Sequence, residues 1–210
     1  MTTRARTLFR SFLPLVVLAA MGGCGESGEE PPPSGDTLLA TSGGEPSEDC
    51  LLLVWERQDA PEVDFDRSND LVEGGAISCA TGTSPSQYQS AIDDLRRAAR
   101  SNDRAMMLEQ VGIPLLYIDA QGGRRELREP EAVDAVFDEI FDPQMRALLR
   151  ELDISAMTVE KGSGGFFGLG ALWLAPDGPG GKPRIATINR LALAEALSKA
   201  EPPESELGMD

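Results

Sequence analysis

Residues 166–173 read Phe-Phe-Gly-Leu-Gly-Ala-Leu-Trp and run on into Leu174 and Ala175. As one strand, this stretch puts Phe167, Leu169, Ala171 and Trp173 on one face and Leu172 and Leu174 on the other. A strand apolar on both faces belongs in the middle of a sheet, covered on both sides. Gly168 and Gly170 bring no side chains to that packing, and glycines inside a strand mark a bend or a bulge. The expectation is a strongly curved sheet wrapped on helices, a cone whose mouth is a pocket.

The flanking sequence supplies the rest of such a domain. Strands are predicted over 154–160 and 183–189, separated by Gly162-Ser163-Gly164-Gly165 and by the turn 176–181. Neither glycine run has phosphate-loop spacing or leads into a helix, so both read as hairpin turns. Upstream, Ser84-Pro85-Ser86-Gln87 is a capping box with proline at the first helical position. Tyr88, Ala91, Ile92, Leu95, Ala98 and Ala99 then recur at helical spacing. A second helix is expected over 103–109, a strand over 113–119, and a short return strand over 125–128 after the turn 121–124. Glu129-Pro130 opens a helix with the stripe Val133, Val136, Phe137, Ile140 and Phe141. Asp142-Pro143 opens the next, with Met145, Leu148, Leu149 and Leu152, and 190–199 closes the chain's ordered pattern as an amphipathic helix. Helices on one face of an antiparallel sheet make an α+β architecture.

From Ser84 to Asn189 this order resembles the NTF2-like family of cystatin-like α+β domains. Four stretches carry the resemblance: Asp103-Arg104 before a helix leading into Ile113-Pro114-Leu115; the segment 131–141, ending in Glu139-Ile140-Phe141; FFGLGALW at 166–173; and PRIATIN at 183–189. The resemblance implies a curved antiparallel sheet packed on the N-terminal helices as a cone. It does not select an activity, because the family hosts dehydratases, isomerases, transport adaptors and many proteins of unknown role. Enzymes of the family commonly place Asp, Tyr and His inside the cone. The polar groups available for that position here are Tyr88, Tyr117, Asp119, Glu139, Asn189 and Arg190. Tyr117 and Asp119 lie two residues apart on one strand face and form an acid–base pair if the pocket raises the carboxylate pKa. The competing reading makes Tyr117 a core aromatic and Asp119 a turn residue.

The N-terminal part reads as an address. Arg4, Arg6 and Arg10 precede an apolar run over 12–21, about ten residues where a membrane span needs about 20. A basic start, a short apolar run and small residues make a secretory signal over 1–23. Met21-Gly22-Gly23-Cys24 resembles the lipobox of bacterial lipoproteins, with Met21 where Leu is usual. That resemblance implies cleavage before Cys24 and its lipidation. The alternative is an ordinary secretory peptide with an incidental cysteine. Gly25, in place of an Asp after the Cys, favours the outer membrane within the family. Residues 24–49, rich in Gly, Pro, Ser and acids, read as a disordered tether reaching about 30 Å. The tail 201–210 reads as a second solvated end.

Cys50 and Cys79 are left once Cys24 carries lipid, and in an oxidising compartment two cysteines read as one disulfide. Two buried thiols are the alternative. The segment 50–82 is expected to be a stapled β-rich appendage, with strands at 51–55 and 75–80. Asp64, Asp66, Ser68 and Asp70 have the alternation of a calcium loop, but Asn69 replaces its turn glycine and Gly75 its bidentate Glu, so the stretch reads as a solvated loop.

Composition narrows the function classes. The 210 residues contain no His, which removes Ser-His triads, Cys-His pairs and His-ligated zinc. A net charge of −16 leaves no basic footprint for nucleic acid. Removing residues 1–23, which hold three Arg and no acid, takes the charge to −19, so the mature chain stands off anionic headgroups. The expectation is an envelope protein facing the periplasm, held to its membrane by lipid. It needs no cofactor or metal and binds a small apolar ligand or an envelope protein partner rather than catalysing. A dehydratase- or isomerase-type enzyme and a structural part of an envelope assembly are the alternatives.

Overall fold

The computed structural model describes residues 46–178 and 180–200. The signal-like segment, Cys24, the tether as far as residue 45 and the tail 201–210 lie outside these residues. The described part begins in helix α1, Pro46–Trp55, so residues 46–49 of the stretch read as a disordered tether are helical. Helix α2, Val63–Asn69, follows; the two-residue strands β1, Leu71–Val72, and β2, Gly75–Ala76, pair antiparallel; and helix α3 spans Ile77–Thr81. The β-rich expectation for 50–82 is therefore corrected to a mainly helical segment. A five-residue apolar run such as 51–55 is ambiguous between strand and helix. Here Leu51 and Val54, a helical turn apart, are buried, while Leu52 and Leu53 are exposed.

Cys50 in α1 and Cys79 in α3 form a disulfide with a Cα–Cα distance of 5.1 Å. The segment is also joined to the main sheet. Val159 N–H donates to Glu73 C=O at 2.8 Å, beside a parallel bridge between Glu73 and Thr158. Gly74 makes that approach possible: a Cβ there would sit 2.1 Å from the Val159 carbonyl oxygen.

The predicted solvated loop is helix α2, because two of its carboxylates cap other helices. Asp66 Oδ1 accepts Ser86 N–H at 2.7 Å, and Asp70 accepts both Ser78 N–H and Ser78 Oγ. Among the described residues no cluster of acids or cysteines converges on a metal-sized site.

Helix α4, Pro85–Ser101, starts at the capping box in the sequence: Ser84 Oγ accepts Gln87 N–H and the Gln87 side chain accepts Ser84 N–H. Helix α5, Arg104–Glu109, is capped by Asp103. Strand β3 spans Val111–Ile118 and β4 Arg124–Leu127. The predicted 131–141 helix breaks at Val136 into α6, Pro130–Ala135, and α7, Phe137–Ile140. Helix α8, Pro143–Arg150, is capped by Asp142. A 3-10 turn over Ile154–Ala156 precedes β5, Thr158–Glu160, so the strand there is shorter than expected. Strands β6, Gly164–Phe167, β7, Leu172–Pro176, and β8, Pro183–Asn189, lead into α9, Arg190–Ala200.

The result is an α+β fold with a curved six-stranded sheet in the order β4-β3-β8-β7-β6-β5. Two expectations change. The sheet is mixed rather than antiparallel, because β3 and β8 run parallel side by side. The long connection between them, carrying helices and four strands, is what a parallel pair requires. The stretch 166–175 is not one central strand but β6 and β7 joined by a reversal at 168–171. Gly168, Leu169 and Gly170 have φ of 58°, 57° and 86°, and left-handed residues in succession turn the chain back. Leu169 therefore sits at a hairpin tip, 54% exposed, instead of in the core.

The core lies between the sheet and the helices. Leu115, Tyr117, Phe167, Leu172, Leu174, Ile185 and Ile188 face Tyr88, Ile92, Leu95, Phe141, Met145 and Leu149. The opposite face of the sheet carries one transverse row, in register across all six strands: Glu126, Leu116, Thr187, Trp173, Phe166 and Thr158.

Candidate functional site

Strand β3 is longer than the strand that protects its edge. Its pairing with β4 runs only from Leu115 to Ile118, so residues 111–114 have no strand beside them on that side. On the other side, Val111 pairs with Ile185 and Leu116 with Thr187. Five steps of β3 thus face two steps of β8, and β3 bulges outward at 112–115. Gly112 permits the bulge, since a Cβ there would meet both Arg184 Cβ and the Ile185 carbonyl at 3.3 Å. Ile113, on the bulge, is 42% exposed.

The bulge separates two troughs. The first, of about 440 Å³, lies on the helix side and is lined by Leu108 of α5, Val111 and Ile113 of β3, and Pro130, Glu131, Val133, Asp134 and Ala135 of α6. The second, of about 370 Å³, lies on the outer face between the bulge, Ala175–Asp177 and Arg184. The two charged residues in the first trough differ. Arg104 pairs with Asp134 at 2.8 Å and also donates to its backbone carbonyl. Glu131 has no basic partner among the described residues.

The backbone at this edge is oriented by β8. Ile185 N–H donates to Gln110 C=O at 2.9 Å. Neighbouring residues of a strand point their N–H and C=O groups to opposite sides, so Val111 turns its own pair away from β8, towards the side β4 leaves open.

The polar residues singled out from the sequence are distributed elsewhere. Tyr88 is fully buried; its hydroxyl lies 3.4 Å from the Leu174 carbonyl, and burial pushes its pKa up to about 12. Tyr117 is a core residue on the inner face of β3, with the Arg125 guanidinium 4.9 Å from its ring. Its hydroxyl is raised above the usual range by burial first and by the Glu139 carboxylate second. Glu139 in turn pairs with Arg125.

Asp119 is engaged in the β3–β4 turn, where Oδ1 accepts Gln121 N–H at 2.9 Å and Gly123 N–H at 2.8 Å. Asn189 accepts Ala192 N–H and starts α9. Arg190 donates to the Glu139 carbonyl and pairs with Asp142 at 2.5 Å. These groups hold elements together, and none of them lines either trough.

The groove residues Leu108, Val111, Pro130 and Val133 carried no functional reading in the sequence. One signal was available: Pro114 inside a predicted strand places that part of the strand at an edge. No protein-family model matches this chain, and no curated protein and no solved structure matches it.

Proposed function

We propose that this chain is a lipid-anchored protein of the bacterial envelope, attached through Cys24 and facing the periplasm, with the outer membrane as its site. Its folded part is an NTF2-like domain that binds a ligand or a partner without catalysing a reaction on it. The observation that carries the reading is the open apolar groove of about 440 Å³ between α5, α6 and the unpaired end of β3. Concave, mostly apolar surface with a few polar groups at its margin is the ordinary form of a binding site. The hydrogen bonds and ion pairs of Asp119 and Arg190 support binding over acid–base chemistry at Tyr117 and Asp119, because both charged groups are already used within the fold. Among the described residues no helix is long and apolar enough to cross a membrane.

Two measurements test the reading. Cys24→Ser in the full chain yields unlipidated precursor in the soluble fraction, with no metabolic palmitate label; unchanged membrane fractionation and labelling overturn the anchor. The neutral dye N-phenyl-1-naphthylamine gains fluorescence with the mature protein and loses that gain in Ile113→Asp, an exposed substitution that spares the core. Equal fluorescence in the two proteins removes the groove from the function.

A further inference from the structure

We propose that residues 111–114 of β3 are a docking edge for an extended peptide segment of a partner protein, one that presents an apolar residue and, two positions away on the same face, a lysine or arginine. This deepens the groove-binding reading and rests on it.

Three observations converge on this occupant. The first is the backbone. Val111 directs an N–H and a C=O towards the side where β4 has ended, the arrangement that an added strand completes. The second is the alternation of surfaces. Side chains of an added strand point by turns to the two faces of the sheet. On the helix side they meet the trough lined by Leu108, Val133 and Pro130, and on the outer face they point to solvent beside the exposed Ile113. A compact apolar molecule would fill the helix-side trough and leave the edge backbone unused, whereas an extended peptide uses the trough and the backbone together.

The third is charge. Glu131 shares the apolar trough and has no basic partner among the described residues, while its neighbour Asp134 is taken by Arg104. A cation on the peptide, on the same face as the residue in the trough, complements Glu131. The edge ends at Pro114, which has no N–H to donate.

The test uses the isotope-labelled mature protein, residues 24–210, and blocked pentapeptides of three kinds, four molecules in all. The parent is acetyl-Thr-Val-Thr-Lys-Thr-amide. The second carries N-methyl groups on the amides of its Val and Lys, and a companion places them on the central Thr instead, so that one of the two blocks the edge-facing side. The third replaces Lys by Glu. The expected result is amide shift changes with the parent at Val111, Gly112 and Ile113 and along α6. N-methylation on one side, and not the other, weakens binding about tenfold, as loss of edge hydrogen bonds requires. Lys to Glu weakens it about threefold, and Glu131→Gln in the protein removes that difference.

Equal binding of the parent and both N-methylated peptides overturns the docking edge. Binding of the naphthylamine dye without binding of any peptide overturns the peptide and leaves the groove reading standing. Absence of both overturns the two together.

Discussion

Asp66 Oδ1 accepts the backbone N–H of Ser86 at 2.7 Å, from a carboxylate that has no exposed surface. Its other oxygen accepts Trp55 Nε1–H at 2.7 Å. One side chain of α2 thus caps α4 and holds the end of α1. Replacing it by Ala leaves two donors without an acceptor, and Asp66→Ala is expected to cost about 3 kcal/mol. Urea unfolding followed by tryptophan fluorescence measures it. A loss under about 1 kcal/mol means that water replaces the carboxylate.

The Cys50–Cys79 disulfide closes a loop with a sequence separation of 29. In the chain-entropy account a loop of that size contributes about 3.5 kcal/mol. The double variant Cys50→Ser, Cys79→Ser is expected to lower the urea midpoint accordingly. Intact-mass measurement of the unreduced protein should find no alkylatable thiol at these two positions; two alkylated cysteines contradict the pairing.

Asp70 provides a pH dependence with a definite sign. Burial raises its carboxyl above the ordinary 3.8, although the Ser78 N–H and hydroxyl work in the other direction. The unfolded chain therefore ionises first as pH rises. The parent loses stability from this group between 3.8 and the raised folded value, and the loss is constant above it. Asp70→Asn keeps an acceptor for Ser78 N–H and an amide donor for Ser78 Oγ, yet never ionises. The stability of the variant relative to the parent should therefore rise with pH through that window and level off above it. A difference that stays flat, or that falls, contradicts the assignment.

Asp94 behaves in the opposite way. Burial acts to raise its carboxyl, but Lys182 and Arg97 outweigh burial and hold it below 3.8. Its contribution is present above the unfolded value and disappears as pH falls through the folded one. The Lys182 ammonium is 2.7 Å away and 43% exposed, so Lys182→Gln is expected to cost only about 0.5 kcal/mol at neutral pH. Parent and variant should converge in acid. Thermal unfolding at pH 7 and at pH about 3 measures the convergence.

Gly162 in the β5–β6 turn and Gly164 at the start of β6 separate backbone strain from crowding. Gly162 has φ of 78° with open space around it, whereas Gly164 has φ of 117° and a Cβ there would lie 2.3 Å from the Leu174 carbonyl oxygen. Gly162→Ala is expected to cost about 1 kcal/mol, from conformation alone. Gly164→Ala should cost about 3 kcal/mol or more, because β6 must move off β7. Equal melting temperatures for the two variants contradict the close approach.

What the sequence determined by itself is local. The Ser84–Gln87 capping box, the Asp103 and Asp142 caps, the apolar stripes of α4 and α8 and the glycine turns each depend on residues within a few positions of one another. Those signals were enough for an α+β domain and for most of its helices and strands. The pairing of Cys50 with Cys79 followed from there being two cysteines in a segment read as secreted.

Other features depend on partners far apart in the chain and emerge only on folding. Leu51–Val54 is apolar in either conformation, and it is a helix because Leu51 and Val54 both reach the interior beside the Cys79 helix. Leu169 reads as core by alternation, but the hydrogen bonds between β6 and β7 place the reversal at Gly168 and turn it outward. The parallel pairing of β3 with β8 joins residues about 70 positions apart, and no short-range pattern encodes which neighbour a strand finds. The groove follows from the pairing of β3 with β4: it exists because β4 stops at Leu127 while β3 extends back to Val111, a difference in length between two strands that appears only once they lie side by side.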